Sequence, residues 1–271
     1  MRRFCSALLL LTIALAFRWA AETLAADDGP AVEVDPAGRG TYPWSKLISA
    51  GTLETEIKNQ VTALTPSMAN PAKFSSSVSK TRNAFSLTAT MFAVIAGYDG
   101  EVRWKASAPG MRDGTARAGF RCKVSTANSF NEARARHKDL SELLSGIRPR
   151  LPEALPETDW ATVAEFSELM KRIEQANDQN LKPWSADRIE FAAHKDKYLH
   201  EAELLTALAQ VISYYPEHAG KEDFAGFAAT LKEAALEMVQ AVKADNFEEA
   251  QAGHKKATRA CADCHAVYRG L

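Results

Sequence analysis

The sequence predicts an all-α protein built as two tandem antiparallel four-helix bundles, and three observations lead there. No stretch of the 271 residues alternates apolar and polar positions as a half-buried strand would. The apolar residues recur instead at spacings of three and four. The cleanest run, Phe247, Ala250, His254, Ala257, Cys261, Cys264 and Tyr268, marks one helix face turned to a core. The chain also repeats itself at a constant offset of 117 residues. Pro66 falls on Pro183, Phe74 on Phe191, Val94 and Ile95 on Val211 and Ile212, Tyr98 on Tyr215, Phe130 on Phe247, and His137 on His254. Four amphipathic helices per copy, joined by short connections, close most economically as an antiparallel bundle.

The elements follow in chain order. Met1-Arg2-Arg3, the apolar run Cys5 to Phe17 and Thr23-Leu24-Ala25-Ala26 read as a signal peptide over 1–26, cleaved after Ala25 or Ala26. That run is shorter than the roughly 20 residues needed to cross a bilayer, and no later segment reaches that length. No membrane span is therefore expected in the mature chain. Residues 27–41, rich in Asp, Gly and Pro, form an N-terminal tail. Residues 149–157 form a Pro-rich linker between a first bundle at 42–148 and a second at 158–271. The first copy is expected to hold helices over 42–63, 72–98, 112–127 and 129–147, the second over 159–177, 186–214, 221–243 and 246–269. Asp245, with Glu248 three residues on, reads as the capping box of the last helix. Phe224, Phe227, Leu231, Ala235, Met238 and Val242 form a matching stripe on the helix before it.

Composition bounds the function. An apolar content of 46% with 25% charged residues is the balance of a soluble globular protein. Losing the signal peptide takes away two net positive charges, so the formal charge moves from -1 to about -3, which argues against a nucleic-acid partner. Cys5 leaves with the signal, and Cys261 and Cys264 sit in one motif. Cys122 is then left without a partner, so no structural disulfide is expected and Cys122 reads as a small buried hydrophobe.

The motif itself is Cys261-Ala262-Asp263-Cys264-His265, and Cys-x-x-Cys-His is the attachment signature of a c-type haem. Two thiols on one helical turn can form thioethers with the two vinyl groups of a haem, and the next residue then presents its imidazole to the iron. Cys261 and Cys264 are thus the expected covalent anchors and His265 the proximal ligand. A zinc half-site would need further ligands from elsewhere in the chain. Export favours haem over a cytosolic redox pair. At the repeat offset, Leu144, Ile147 and Arg148 stand where Cys261, Cys264 and His265 stand. The first copy is therefore expected to be haem-free, its cofactor space closed by apolar packing, and the chain to carry one haem c.

With that motif in the fourth helix of a bundle, residues 157–271 resemble the class II c-type cytochromes, or cytochromes c prime. The likeness runs from Ala241 to Phe247 and on through Cys261, Cys264, His265, Tyr268 and Arg269. The first copy joins it only through its similarity to the second, and the tandem arrangement departs from the single-domain pattern of that family. The resemblance implies an exported, periplasmic four-helix bundle. It also implies a basic residue near the proximal haem face four positions after the ligand, here Arg269. In low-spin members a Met early in the first helix binds iron from the distal side, and Ser167-Glu168-Leu169-Met170-Lys171 is similar to that stretch. The residues themselves leave both roles open. Arg269 also suits a helix end whose dipole it complements, and Met170, on a seam with Val163, Phe166 and Ile173, also suits a core gap. Leu53 stands opposite Met170 at the repeat offset. Members of the family often pair as homodimers, so fusing two units implies an intramolecular pseudo-dimer, monomeric in solution.

The expected function is that of a periplasmic monohaem cytochrome, a one-electron carrier between redox partner proteins. No Ser/His/Asp set, phosphate-cradling glycine loop or carboxylate pair stands out, so the expected protein is not an enzyme. The alternative is a high-spin haem protein binding small gases such as NO or CO, separated from the first by whether Met170 ligates. A third reading makes the first copy a docking module for a partner protein. His254 lies eleven residues before His265, about 16 Å along one helix, and cannot serve the same iron. His137 matches it in the first copy, so it reads as structural. His194, His200 and His218 sit among charged residues and are expected to be solvated.

Overall fold

The computed structural model describes residues 42–218 and 220–269; the expected signal peptide at 1–26 and tail at 27–41 lie outside the described residues. All regular structure among the described residues is helical, and the helices pack as a bundle around a continuous apolar core. The first half contributes α1 (Ala50–Leu64), α2 (Pro71–Ala96), α3 (Ala108–Arg121) and α4 (Ala127–Leu144). The second contributes short α5 (Trp160–Val163), α6 (Phe166–Glu174), a π-helical turn (Gln175–Leu181) and α7 (Lys182–Trp184). It continues with α8 (Arg188–Ala193), α9 (Lys195–Ile212), α10 (Glu222–Lys243) and α11 (Phe247–Tyr268). No helix among the described residues is long and apolar enough to cross a membrane.

The sequence repeat has structural counterparts. Phe74 packs on Phe130 with ring centroids 5.5 Å apart, and their equivalents Phe191 and Phe247 lie 5.7 Å apart. The Tyr98 hydroxyl donates to the Ile48 carbonyl at 3.0 Å and that of Tyr215 to the Ala164 carbonyl at 2.9 Å. Helix α2 is kinked at Ser77 (φ -129°), and the equivalent His194 (φ -118°) separates α8 from α9. The single helix expected over 186–214 is therefore two. At both positions a side chain bonds the carbonyl four residues back, Ser77 to Lys73 and His194 to Glu190, a pattern that bends helices.

The halves differ in their first helix. Ser49 is the N-cap of α1 and Glu165 that of α6, while Leu53 and Ile57 are buried like Leu169 and Ile173. These pairs, with the Tyr acceptors Ile48 and Ala164, are separated by 116 residues rather than 117. The offset of 117 resumes at Pro66 and Pro183, and the one extra residue is taken up by the π-helical turn. The counterpart of Met170 is thus Glu54, and the expected match to Leu53 is corrected. The second half also enters this helix by a break. Ala164 is extended (φ -149°, ψ 158°), so the helix expected over 159–177 is α5, then α6, then the π-helical turn.

The fourth helices differ at their ends. Helix α11 runs to Tyr268, whereas α4 stops at Leu144 because Gly146 adopts φ 82° and the N–H groups of Gly146 and Ile147 bond back to Leu143 and Glu142. The span expected over 129–147 is a turn too long. Ile147 is 57% exposed and Arg148 is exposed, so of the three substituted positions only Leu144 packs against the core. Two further boundaries move for local reasons. Asp245 takes φ 58° and closes α10, so Asn246 caps α11 by accepting from the Glu249 N–H. Pro109 opens α3 early, and Thr126, expected inside it, instead forms a capping box with Ser129 at the start of α4.

The two halves meet through buried polar groups. The Arg172 guanidinium on α6 makes paired bonds to Glu201 at 2.8 and 3.0 Å and reaches Glu56 of α1 at 3.6 Å. Glu56 also holds His200 at 2.8 Å. The Glu203 carboxylate accepts from the Ser49 N–H, the Ser49 hydroxyl and the Thr52 hydroxyl. Asn83 donates to the carbonyl and carboxylate of Glu168, and Arg82 and Lys123 both pair with Glu165. Trp44 packs on Trp160 at 6.0 Å, and Trp160 stacks on Tyr214 at 5.8 Å.

Candidate functional site

A cavity of about 590 Å³ opens between α6, the π-helical turn, α10 and α11. That volume lies within the range of small-molecule and cofactor sites. Helix α6 places Phe166, Met170 and Ile173 on one wall because they fall one turn apart on its apolar face; α10 places Phe224, Phe227 and Leu231 on another. Helix α11 brings Cys261, Cys264 and His265 to the same space, and Arg269 closes its end. All five site residues expected from the sequence, Cys261, Cys264, His265, Met170 and Arg269, therefore line one cavity. Val163 does not share the Met170 seam, since the extended Ala164 lies between them.

The two cysteines are half-buried and free. Burial pushes the Cys261 thiol up to about 11, with Asp178 and Cys264 adding to the effect, and burial followed by Asp223 raises Cys264. Both are neutral thiols at pH 7, unlike the lowered thiol of a dithiol redox pair. No group of three or more His, Cys, Asp or Glu side chains is placed to share a metal ion among the described residues. A zinc site of the Cys/His type needs such convergence, and it is missing there. Large space beside the thiols, apolar walls and an imidazole on the same turn fit a bulky, flat, largely apolar group.

Arg269 leaves the helix with φ -83° and ψ 101° while its N–H bonds the His265 carbonyl at 3.0 Å, and its side chain is exposed at the cavity rim. The end of α11 is tied to the start of α10 by the Tyr268 hydroxyl, which donates to Asp223 at 2.5 Å.

His254 bonds the Asn177 carbonyl at 3.1 Å and does not line the cavity, and burial lowers its pKa. It fastens α11 to the π-helical turn, as His137, bonded to the Thr65 hydroxyl at 3.0 Å, fastens α4 to the segment after α1. The three histidines expected to be solvated are corrected. His200 is half-buried against Glu56, His194 stacks on Trp184 at 5.2 Å, and His218 lines the cavity among aromatic rings. Asn177 and Asp178 of the π-helical turn also line it and were missed. The one-residue slip of the repeat offset in this helix is the sequence signal that marks them.

No family model, curated protein or solved structure matches the chain.

Proposed function

We propose that the chain is a periplasmic monohaem cytochrome of the class II c type, two tandem four-helix bundles of which the second holds one covalently attached haem c. One observation carries this reading: Cys261, Cys264, His265, Met170 and Arg269, drawn from two distant helices, line a single cavity of about 590 Å³ with largely apolar walls. Cys261 and Cys264 would hold the haem through thioethers, His265 would bind the iron, and Arg269 would flank it at the rim. When bound, haem supplies a one-electron ferrous/ferric couple.

The chain's own residues set the surroundings of that couple. Phe166, Phe224, Phe227 and Leu231 line the space with apolar surface, and packed helices limit rearrangement. Burial raises both thiols, so both stand protonated at neutral pH in the folded chain. The role is that of an electron carrier between proteins rather than an enzyme. The apolar wall opposite α11 and the half-buried Met170 also support the second reading, a high-spin protein whose free iron position admits NO or CO.

Expression with a c-type maturation system tests the proposal. The purified chain should carry one haem that survives denaturation, seen as a mass increase. Replacing both Cys261 and Cys264 with Ala should abolish covalent attachment. A wild-type chain that leaves the maturation system without haem would sink it.

A further inference from the structure

Of the side chains lining the cavity two are histidines, His265 on α11 and His218 in the turn between α9 and α10. The His218 ring is held on three sides. It stacks on Phe224 at 4.0 Å and 18°, and meets the edges of Phe166 at 4.8 Å and Tyr268 at 5.5 Å. Those contacts locate it between the two walls that matter, because Phe166 is one turn before Met170 and Tyr268 is one turn after His265. Its Nδ1 is buried and has no hydrogen-bond partner among the described residues. A buried polar atom left unpaired is unfavourable, and the three aromatic contacts hold the ring beside the cavity. Burial, with Lys221 adding and Glu217 opposing, lowers its pKa, so the imidazole is neutral and a lone pair is available. The corresponding residue of the first half at the offset of 117 is Glu101, so this imidazole, like Cys261, Cys264 and His265, is absent from the copy without the motif.

We propose that His218 is the second axial donor to the group anchored by Cys261, Cys264 and His265, giving a His/His pair, and that Met170 packs against that group without ligating it. The inference rests on the haem reading above. It implies a lower reduction potential than a His/Met pair would give, since thioether ligation is the arrangement that raises it.

The test compares EPR and absorption spectra of haem-loaded wild type, His218→Ala, His218→Phe and Met170→Ala at pH 7 in buffer free of imidazole. His218→Phe keeps the aromatic stack if His218→Ala fails to fold. Low-spin ferric iron in the wild type and in Met170→Ala, turning high-spin in the His218 variants, is the expected result. Every other pattern overturns the inference, including high-spin iron in the wild type or loss of the low-spin signal in Met170→Ala. A wild type that carries no covalent haem by mass defeats the underlying reading instead, so the two failures are told apart.

Discussion

At the residue scale the strongest constraint is the cluster of Arg172, Glu56, Glu201 and His200. Glu56 is 2% exposed, and its partners Arg172 and His200 come from the other half of the chain while Gln60 comes from its own helix. Glu56→Ala leaves Arg172 with Glu201 alone and takes away the acceptor of His200, so it should cost about 1–3 kcal/mol in urea unfolding. A loss below about 1 kcal/mol would mean that water reaches the cluster. The same carboxylates set the acid response. Burial alone would raise Glu56 and Glu203, but hydrogen bonds from His200 to Glu56 and from Thr52 and Ser49 to Glu203, with Arg172 and Lys243 nearby, outweigh it and leave both lowered. A lowered folded-state pKa gives stability that is complete above the unfolded carboxylate value of about 4.3 and disappears as pH falls through the folded one. The melting temperature should therefore fall in two stages, first below about pH 6.5, where burial keeps His137, His218 and His254 from taking up the protons they bind when unfolded, and again below about 4.3 as these carboxylates are protonated. Glu203→Gln should start lower at pH 7 and lose less on acidification; an equally steep fall would remove Glu203 from the account. His218 escaped the sequence because its neighbours in the chain, Glu217 and Lys221, are charged, whereas its neighbours in space, Phe166, Phe224 and Tyr268, are aromatic and distant in sequence.

At the element scale the sequence made the helices legible where their periodicity was unbroken, as in α10 and α11, and misjudged them where a single side chain bends or ends them. His194, Gly146 and Asp245 each act through local backbone conformation, which apolar spacing does not register. The α11 side of the candidate site was readable from Cys261, Cys264 and His265 alone. On the opposite wall Met170 was named through a resemblance, but Asn177 and Asp178 were not, because a π-helical turn changes the register by one residue and only an offset shift of 116 to 117 betrays it. That turn brings Asn177 and Asp178 to the cavity and receives the His254 bond. Deleting the exposed Gln179 should convert it to ordinary α-helix, keep the far-UV helical signal near that of the wild type, and alter the visible spectrum of the loaded protein. An unchanged spectrum would show that the turn does not shape the site.

At the scale of the whole molecule the two halves are joined by ion pairs, capped helix ends and a run of stacked aromatics rather than by the linker alone. They should unfold in one transition, and the chain should sediment with the mass of one copy, the first half filling the place of a second subunit. A sedimentation mass of two chains would count against that. Helix α4, which ends at Gly146, bears on the history of such a pair. Writing Cys, Cys and His back at positions 144, 147 and 148 would restore the letters of the motif but set the last two beyond the helix, with Ile147 and Arg148 already facing solvent. Substitutions at those three positions alone therefore cannot rebuild on α4 the arrangement that α11 presents to its cavity, because the helix that would carry it has already ended.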